Sequence, residues 1–193
     1  MAISDEVLME QFQSGDEEAF ILLIKRYEKS LFNMIYRFVG HYQTAEDLYQ
    51  ETFLRLHRSV ERYDPSQPFS PWLYRIAAHL CIDMLRKWGR EKALLKETSE
   101  LELDEQPHPP GLERESDPAK LVEGRELQTI IERALKTLSP EHRAVAVMKH
   151  FQGLTYQEIG KILNCSIGTV KSRMHYAMEN LKIELKREGI LER

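Results

Sequence analysis

Hydrophobic residues along this chain recur at steps of three and four, and this spacing predicts α-helices. The first helix is expected from about Ser4 to Gly15, because serine suits the residue before a helix and glycine the residue after it. A long second helix should run from about Glu17 to Gly40. No segment alternates polar and apolar residues with a period of two, so the pattern predicts an all-α fold.

Two more helices are expected in the first half of the chain. The third should begin at Thr44, whose hydroxyl is placed to cap the helix while Asp47 reaches back, and it should continue to about Val60. The fourth should begin at Pro71, because proline needs no N–H partner in a first turn, and continue to about Trp88.

The C-terminal part predicts a second group of helices, which starts with one through "LVEGRELQTIIERALKTL". Ser139 is placed to cap the helix in "SPEHRAVAVMKHFQ", and Thr155 with Glu158 forms a capping box that opens the next one. After a short break, Ser166 is placed to cap the last helix. A short helix, a tight break and a second helix are typical of a helix-turn-helix, whose second helix fits a DNA major groove about 12 Å wide.

The last helix has two distinct faces. Its apolar stripe consists of Ile167, Val170, Met174, Ala177 and Leu181. The opposite face carries Thr169, Ser172, His175 and Tyr176, with Lys171 and Arg173 on its flanks. Between residues 154 and 187, six cations outnumber three acidic residues, which suits phosphate contacts beside base contacts. The plainer alternative is a solvated amphipathic helix.

Charge is unevenly distributed along the 193 residues, whose formal net charge is −4. Residues 94–122 hold eight acidic and three basic residues together with several prolines, so they are interpreted as a linker. This divides the chain into a first domain at residues 1–93 and a second at residues 123–193. A solvated tether without chemistry of its own is the simpler interpretation of the linker.

The stretch "FSPWLYRIAAHLCIDMLRKWGREK" combines aromatic residues with cations. The aromatic residues are Phe69, Trp72, Tyr74 and Trp88, and the cations are Arg75, Arg86, Lys87, Arg90 and Lys92. Such rings suit stacking on unpaired bases, at about 1–3 kcal/mol per base, while the cations hold the backbone. Filling a small core is an equally weighted alternative for the same rings.

The third helix carries a second stripe beside its apolar one. This outer stripe comprises Asp47, Gln50, Glu51, Leu54 and Arg58. An exposed leucine among charges indicates a protein-binding surface. A catalytic use of Glu46, Asp47 and Glu51 is disfavoured, because no histidine partner or phosphate-binding loop accompanies them. We therefore do not expect an enzyme.

Other kinds of site are not expected either. Cys81 and Cys165 lie far apart and match no zinc spacing, so both are interpreted as reduced thiols, and neither metal nor cofactor is expected. No apolar run reaches the roughly 20 residues that span a bilayer, and the N-terminus lacks the pattern of a signal peptide. A cytoplasmic protein without membrane insertion is expected.

Taken together, these stretches resemble the extracytoplasmic-function (ECF, group 4) sigma factors of bacterial RNA polymerase. "AEDLYQETFLRLHRSVERYDP" is similar to their region 2.2, and "FSPWLYRIAAHLCIDMLRK" to regions 2.3 and 2.4. "LSPEHRAVAVMKHFQGLTYQEIGKILNCSIGTVKSRMHYAMENLK" is similar to regions 4.1 and 4.2. The blocks cover nearly the whole chain, in the order of the family and without a region 3.

The resemblance implies two kinds of partner, core RNA polymerase and promoter DNA. Asp47, Gln50, Glu51 and Leu54 would bind the clamp helices of the largest polymerase subunit, and the second domain would sit on the flap of the second-largest. Phe69, Trp72, Arg75, His79 and Arg86 would recognise and open the −10 element. Thr169, Lys171, Ser172, Arg173, His175 and Tyr176 would read the −35 element. The acidic linker would occupy the channel for nascent RNA, and an anti-sigma protein is the expected regulator.

Three positions depart from the family pattern. His79 stands where the family usually has asparagine, and Tyr176 and Met178 take places often held by arginine. We therefore expect a promoter sequence that differs from those of relatives. Two alternatives use the same residues: a stand-alone helix-turn-helix regulator, and a sigma-like mimic that sequesters an anti-sigma factor.

Overall fold

The computed structural model describes residues 3–95 and 129–190. Helix α1 is Asp5–Gln13 and begins as expected, because the Ser4 side chain accepts a hydrogen bond from the N–H of Val7. Helix α2 is Glu17–Val39 and ends at Gly40, which adopts the left-handed conformation at φ 67° that favours glycine.

The starts of the next two helices differ from the sequence-based expectation. Helix α3 is Tyr42–Arg58, and its cap is the imidazole of His41, which accepts from the N–H of Thr44, so the prediction of Thr44 as the cap is wrong. Helix α4 is Phe69–Leu95, so it begins before Pro71 and extends past Trp88. A 3₁₀ helix at Val60–Arg62 lies between them.

The first domain is built around α2, which packs against α1, α3 and α4. The fully buried side chains of α2 recur at helical spacing, and they lie on several sides of the helix because α2 packs against three other helices. They include Leu23, Leu31, Met34, Ile35 and Phe38. Cys81 is buried in this core and Cys165 is half-buried in the second domain, and both are free thiols, as expected.

The described part of the second domain contains four helices. Residues 129–136 form α5, Pro140–His150 is α6, Tyr156–Ile162 is α7 and Ile167–Arg187 is α8. The predicted caps at Ser139 and Ser166 are confirmed, and both bonds of the capping box between Thr155 and Glu158 are present. Helix α6 supplies the core, because six consecutive residues from Arg143 to Met148 are buried.

The two domains are in direct contact, because α2 and α4 pack against α6, and α4 also packs against α7. The described residues contain no strand, so the predicted all-α fold is confirmed for this part of the chain. Most of the predicted linker at residues 94–122 lies outside the described residues, and only residues 94 and 95 are seen, at the end of α4.

Candidate nucleic-acid interface

The second domain presents a helix-turn-helix formed by α7 and α8. The turn between them is tight: the N–H of Cys165 donates to the carbonyl of Gly160 at 2.9 Å, and Asn164 adopts a positive φ of 50°. A side chain at position 160 would bring its Cβ within 2.9 Å of the Cys165 carbonyl, so the close approach requires glycine. Ser166 Oγ then accepts from the N–H of Thr169 at 3.1 Å and fixes the start of α8.

The outward face of α8 carries most of the residues predicted from the sequence. Lys171, Ser172 and His175 are exposed, and Tyr176 is 56% exposed. The ring of Tyr176 stacks on that of His142 in α6, with centroids 5.9 Å apart. This contact orients the tyrosine on its own domain while it leaves an edge open to a ligand.

Two of the predicted contact residues of α8 are more constrained, and one residue of the apolar stripe is more exposed than predicted. The hydroxyl of Thr169 hydrogen-bonds Ser166 Oγ at 2.9 Å, so part of its bonding capacity is used by the cap. Arg173 is half-buried, with Nη1 3.8 Å from the sulfur of Cys165, which places the guanidinium over the turn. Ile167, predicted to belong to the buried stripe, is 41% exposed because it lies at the first position of the helix, beyond the edge of the core.

A cleft of about 610 Å³ lies on the first domain between the end of α3, the 3₁₀ helix and α4. It is lined by Arg55, Arg58, Ser59, Arg62, Trp72, Arg75, Ile76 and His79. Four arginines and an indole therefore share one concave surface. This combination suits an anionic backbone carrying bases that stack.

Trp72 and His79 are held in this cleft by specific contacts. The Trp72 ring is half-buried and lies 4.9 Å from the ring of Tyr63, which supports it from below. His79 Nδ1 lies 2.7 Å from the carbonyl oxygen of Arg75 and must donate to it, because a carbonyl only accepts. The exposed imidazole therefore presents Nε2 as the atom available to a ligand.

Two of the residues predicted for the −10 element lie elsewhere. Phe69 is fully buried among Tyr27, Tyr63 and Trp72, so its ring has no exposed surface on which a base could stack. Its position at the start of α4 explains the burial, since the first turn faces α1. Arg86 lies outside the cleft and bonds to Glu141 of the second domain.

Sequence reasoning missed three cations of the cleft. Arg55, Arg58 and Arg62 come from α3 and the 3₁₀ helix, whereas the cations predicted to hold the nucleic-acid backbone all belong to α4, and Arg58 was predicted to lie on the outer stripe of α3. Their spacing of three and four residues was a usable signal for one shared face.

Sequence reasoning also missed the contacts by which α1 holds the elements that form the cleft. The side-chain amide of Gln13 donates to the carbonyls of Val60 and Tyr63, both at 2.9 Å, and fastens the 3₁₀ helix. Glu6 Oε1 accepts from the N–H of Phe69 at 3.2 Å, which holds the start of α4. Long-range contacts of this kind, 47 to 63 residues apart, leave no periodic trace in a sequence.

The outer stripe of α3 is placed as predicted. Asp47 and Gln50 are exposed, and Leu54 is 51% exposed, while Leu48 and Leu56 on the other face enter the core. Glu51 is half-buried, and its carboxylate accepts from Arg55 Nε at 2.7 Å. The stripe thus offers one apolar anchor beside carboxylate and amide groups.

The second domain has an apolar groove of about 460 Å³ between α5, α6 and α8, a feature that the sequence reasoning did not identify. Its apolar lining includes Ile131, Leu135, Phe151, Met178 and Leu185. Phe151 and Met178 are substantially exposed. Such a groove fits the apolar face of a helix.

Neither metal chemistry nor a membrane span is indicated by the described residues. Across residues 3–95 and 129–190, no cluster of three or more His, Cys, Asp or Glu side chains is arranged to hold a metal ion. In the same part of the chain, no helix is both long and apolar enough to cross a bilayer.

Comparison with protein families gives two matches. Residues 23–91 match the family described as Sigma-70 region 2, and residues 134–182 match Sigma-70, region 4. The first match includes α3, the cleft and most of α4. The second includes the helix-turn-helix.

Relatives align over nearly the full length. The chain is 34% identical over 185 residues to the ECF RNA polymerase sigma factor SigW of Bacillus subtilis (strain 168), which covers 92% of this chain and 95% of that protein. It is 31% identical over 177 residues to the ECF RNA polymerase sigma-E factor of Escherichia coli (strain K12), which covers 92% of each.

Solved structures share the fold. CnrH, in complex with the cytosolic domain of CnrY, superposes with a TM-score of 0.67 at 23% identity over 95% of this chain and 97% of that one. The sigma factor RpoE of Bartonella quintana, in complex with the anti-sigma factor NepR, gives 0.67 at 23% identity over 86% and 96%. With the sequence matches, these findings show that the chain belongs to the extracytoplasmic-function sigma factors.

Proposed function

We propose that this chain binds core RNA polymerase and directs it to promoters, using its first domain for the −10 element and its second for the −35 element. The observation that carries the proposal is the cleft of about 610 Å³, which joins four arginines to the half-buried indole of Trp72. A stand-alone regulator with the same helix-turn-helix would have no use for such a surface.

The cleft suits single-stranded rather than double-stranded DNA. Extracting a base from a duplex costs a few kcal/mol, and stacking on an aromatic ring returns about 1–3 kcal/mol per base. Trp72 supplies the ring, and the arginines attract the phosphates on either side. His79 Nε2 is the group available to a base edge, so histidine here should give a −10 preference different from that of asparagine-bearing relatives.

The second domain suits reading of a duplex. Its recognition helix α8 exposes Ser172 and His175 in one stripe, as an element that enters the major groove requires. Lys171 and Arg173 flank this stripe and are placed to meet phosphates, while the central side chains meet base edges.

Two further surfaces are proposed for the polymerase itself. The outer stripe of α3, with Asp47, Gln50 and Leu54 exposed and Glu51 beside them, would bind the clamp helices of the largest subunit. The apolar groove of the second domain would receive an apolar helix of the flap. CnrH and Bartonella RpoE were solved bound to CnrY and NepR, and we propose an anti-sigma protein for this chain as well.

Run-off transcription tests the proposal. Core RNA polymerase is supplied with fragmented genomic DNA, with and without this protein, and the start sites are mapped. We expect discrete transcripts only when the protein is present, each preceded by two shared sequence elements. Gel filtration of the same mixture should show a one-to-one complex with the core enzyme.

The alternatives predict different results. A stand-alone helix-turn-helix regulator would bind duplex DNA without co-eluting with the core enzyme. A mimic that sequesters an anti-sigma factor would give no transcript. Either outcome would contradict the proposed function.

A further inference from the structure

The cleft of the first domain includes a single turn of 3₁₀ helix that is weak by itself. This turn, Val60–Arg62, has three residues. Its backbone bonds run from the N–H of Arg62 to the carbonyl of Ser59 at 2.9 Å and from the N–H of Tyr63 to the carbonyl of Val60 at 3.1 Å. Hydrogen bonds in a 3₁₀ turn have poorer geometry than those of an α-helix, and a single turn lacks the cooperativity of a longer helix. Its shape therefore depends on contacts from other elements.

Gln13, the last residue of α1, provides such a contact. Its side-chain Nε2 donates to the carbonyls of Val60 and Tyr63, both at 2.9 Å, and an amide group has the two hydrogens that these bonds require. The two carbonyls lie on either side of Arg62 in the sequence, and Arg62 lines the cleft. One side chain of α1 therefore fixes the backbone that carries a cleft arginine.

Tyr63 extends this constraint to the ring proposed for stacking. The tyrosine is 5% exposed, and its hydroxyl donates to the carbonyl of Gln67 at 2.5 Å. Its ring lies 4.9 Å from that of Trp72, with 36° between the ring planes. Because Gln13 holds the Tyr63 carbonyl and Gln67 holds the hydroxyl, the supporting ring is fixed at both ends. The orientation of the Trp72 indole in the cleft follows from that support.

A second bond from α1 reaches the start of α4. Glu6 Oε1 accepts from the N–H of Phe69 at 3.2 Å, and a first-turn N–H has no partner within its own helix. Hydrogen bonds from its own N–H and from that of Phe69 hold the pKa of Glu6 below its ordinary value, so the acceptor is ionised at neutral pH. Trp72 follows Phe69 by three residues in α4, so this bond fixes the other side of the contact with Tyr63.

Helix α1 is itself tied to the core, so it can hold other elements in place. Leu8 and Met9 are fully buried, and the Asp5 carboxylate accepts from the Arg26 guanidinium and the Tyr27 hydroxyl of α2. Gln13, in contrast, is exposed and adds nothing to the apolar core. Removal of its amide should therefore loosen the cleft while the domain stays folded.

We propose that Gln13 and Glu6 are positioning residues for the −10 strand, which act through Tyr63 and the start of α4 to hold Trp72 and Arg62 in the arrangement that binds it. The inference rests on the proposed function. A ring that is already ordered does not have to be ordered when the strand binds, and ordering one free side chain weakens affinity about two- to tenfold.

Gln13→Met is the first test, because methionine has nearly the same length and helix propensity but no donor. Holoenzyme is titrated with a fluorescent single strand carrying the −10 element mapped by run-off transcription. We expect the affinity to fall about two- to tenfold, with binding of the −35 duplex unchanged. Gln11→Met makes the same change at an exposed position of the same helix and should alter neither affinity.

A double-mutant cycle shows whether Gln13 acts through Trp72. Residues that act on one another give non-additive effects, whereas independent residues give losses that multiply. Gln13→Met should therefore weaken strand binding by a clearly smaller factor in a Trp72→Ala background than in the wild-type background. An equal factor in both backgrounds would overturn the proposal.

A pair of substitutions at Glu6 separates the hydrogen bond from the charge. Glu6→Gln and Glu6→Met remove the same negative charge, but only glutamine keeps an oxygen that can accept from Phe69. Electrostatics alone predicts equal binding of an anionic strand by the two variants. We expect Glu6→Gln to bind at least as tightly as the wild type and Glu6→Met to bind about two- to tenfold more weakly than Glu6→Gln. Equal affinities would contradict the positioning role.

Two further measurements complete the test. Denaturant titration establishes that each variant is fully folded at the assay temperature, so a loss of affinity does not reflect unfolded protein. Run-off transcription that works, combined with Gln13→Met holoenzyme of wild-type strand affinity, would overturn this inference alone. Absence of any polymerase-dependent transcript would overturn the proposed function and this inference with it.

Discussion

Replacement of Trp72 by alanine separates a core role for this ring from a role in opening DNA. The indole is half-buried, 4.9 Å from the ring of Tyr63 and 6.2 Å from that of Phe69. A fully buried aromatic residue contributes about 3–5 kcal/mol against truncation, so half of that, about 2 kcal/mol, is expected for the loss of stability here. The lost stacking on a base should cost a further 1–3 kcal/mol of binding, or about fivefold to 150-fold in affinity.

The assay measures both quantities independently. Holoenzyme assembled with each variant is titrated with a fluorescent single strand carrying the −10 element, and the free energy of unfolding of each variant is measured by denaturant titration. Trp72→Phe keeps a ring in the cleft and should recover most of the affinity. Phe69→Leu removes a ring that is fully buried and should leave the affinity unchanged.

The expected pattern is thus a loss of strand binding on truncation of Trp72, whose half-buried ring lines the cleft, and no loss on truncation of the fully buried Phe69. If Trp72→Ala lowered stability by the full 3–5 kcal/mol while the folded fraction kept its wild-type affinity, Trp72 would be a core residue and the stacking argument would be refuted.

Four other predictions concern separate surfaces. Arg173→Ala should weaken binding of the −35 duplex and reduce the slope of log affinity against log salt by about 1, measured by anisotropy at several salt concentrations. Asp47→Lys should reduce co-elution with core polymerase in gel filtration, whereas Glu28→Lys, a charge reversal at an exposed position of α2, should not. Gln13→Ala removes two hydrogen bonds to the 3₁₀ helix, so it should cost about 1–2 kcal/mol and reduce permanganate reactivity of the −10 region without changing binding of the −35 duplex. Burial raises the pKa of Tyr63 to about 12, so the fold favours its protonated form. The contribution of Tyr63 to the free energy of unfolding should be constant below about pH 10 and fall between about pH 10 and 12, and Tyr63→Phe should remove that part of the alkaline loss of stability.

The exposure predicted for the three surfaces agrees with the structure for α3 and α8 but only in part for α4. The outer stripe of α3 and the outward face of α8 depend on which residues share one side of a single helix, and the structure exposes them there. The aromatic stretch of α4 depends on what packs over the helix. Phe69 lies under α1 and α2, Trp72 faces the cleft and Arg86 faces the second domain, although all three belong to one continuous helix.

Local chemistry decided the helix ends that the sequence predicted well. A capping hydroxyl and the N–H groups that it accepts from are within three residues of each other, so Ser4, Ser139 and Ser166 were identifiable as caps. The α3 cap was missed because histidine is an uncommon residue there, and the imidazole of His41 takes the role expected of Thr44.

By itself, the sequence determined the helical content, the helix-turn-helix and the family, because periodicity, caps and motif order are local properties of the chain. Only the tertiary structure decided which cations converge on the cleft, that α1 braces it, and that Arg143 reaches across to Phe38. These features depend on contacts between different helices, and two of those contacts join residues 47 and 105 positions apart, so their geometry is fixed only when whole helices pack.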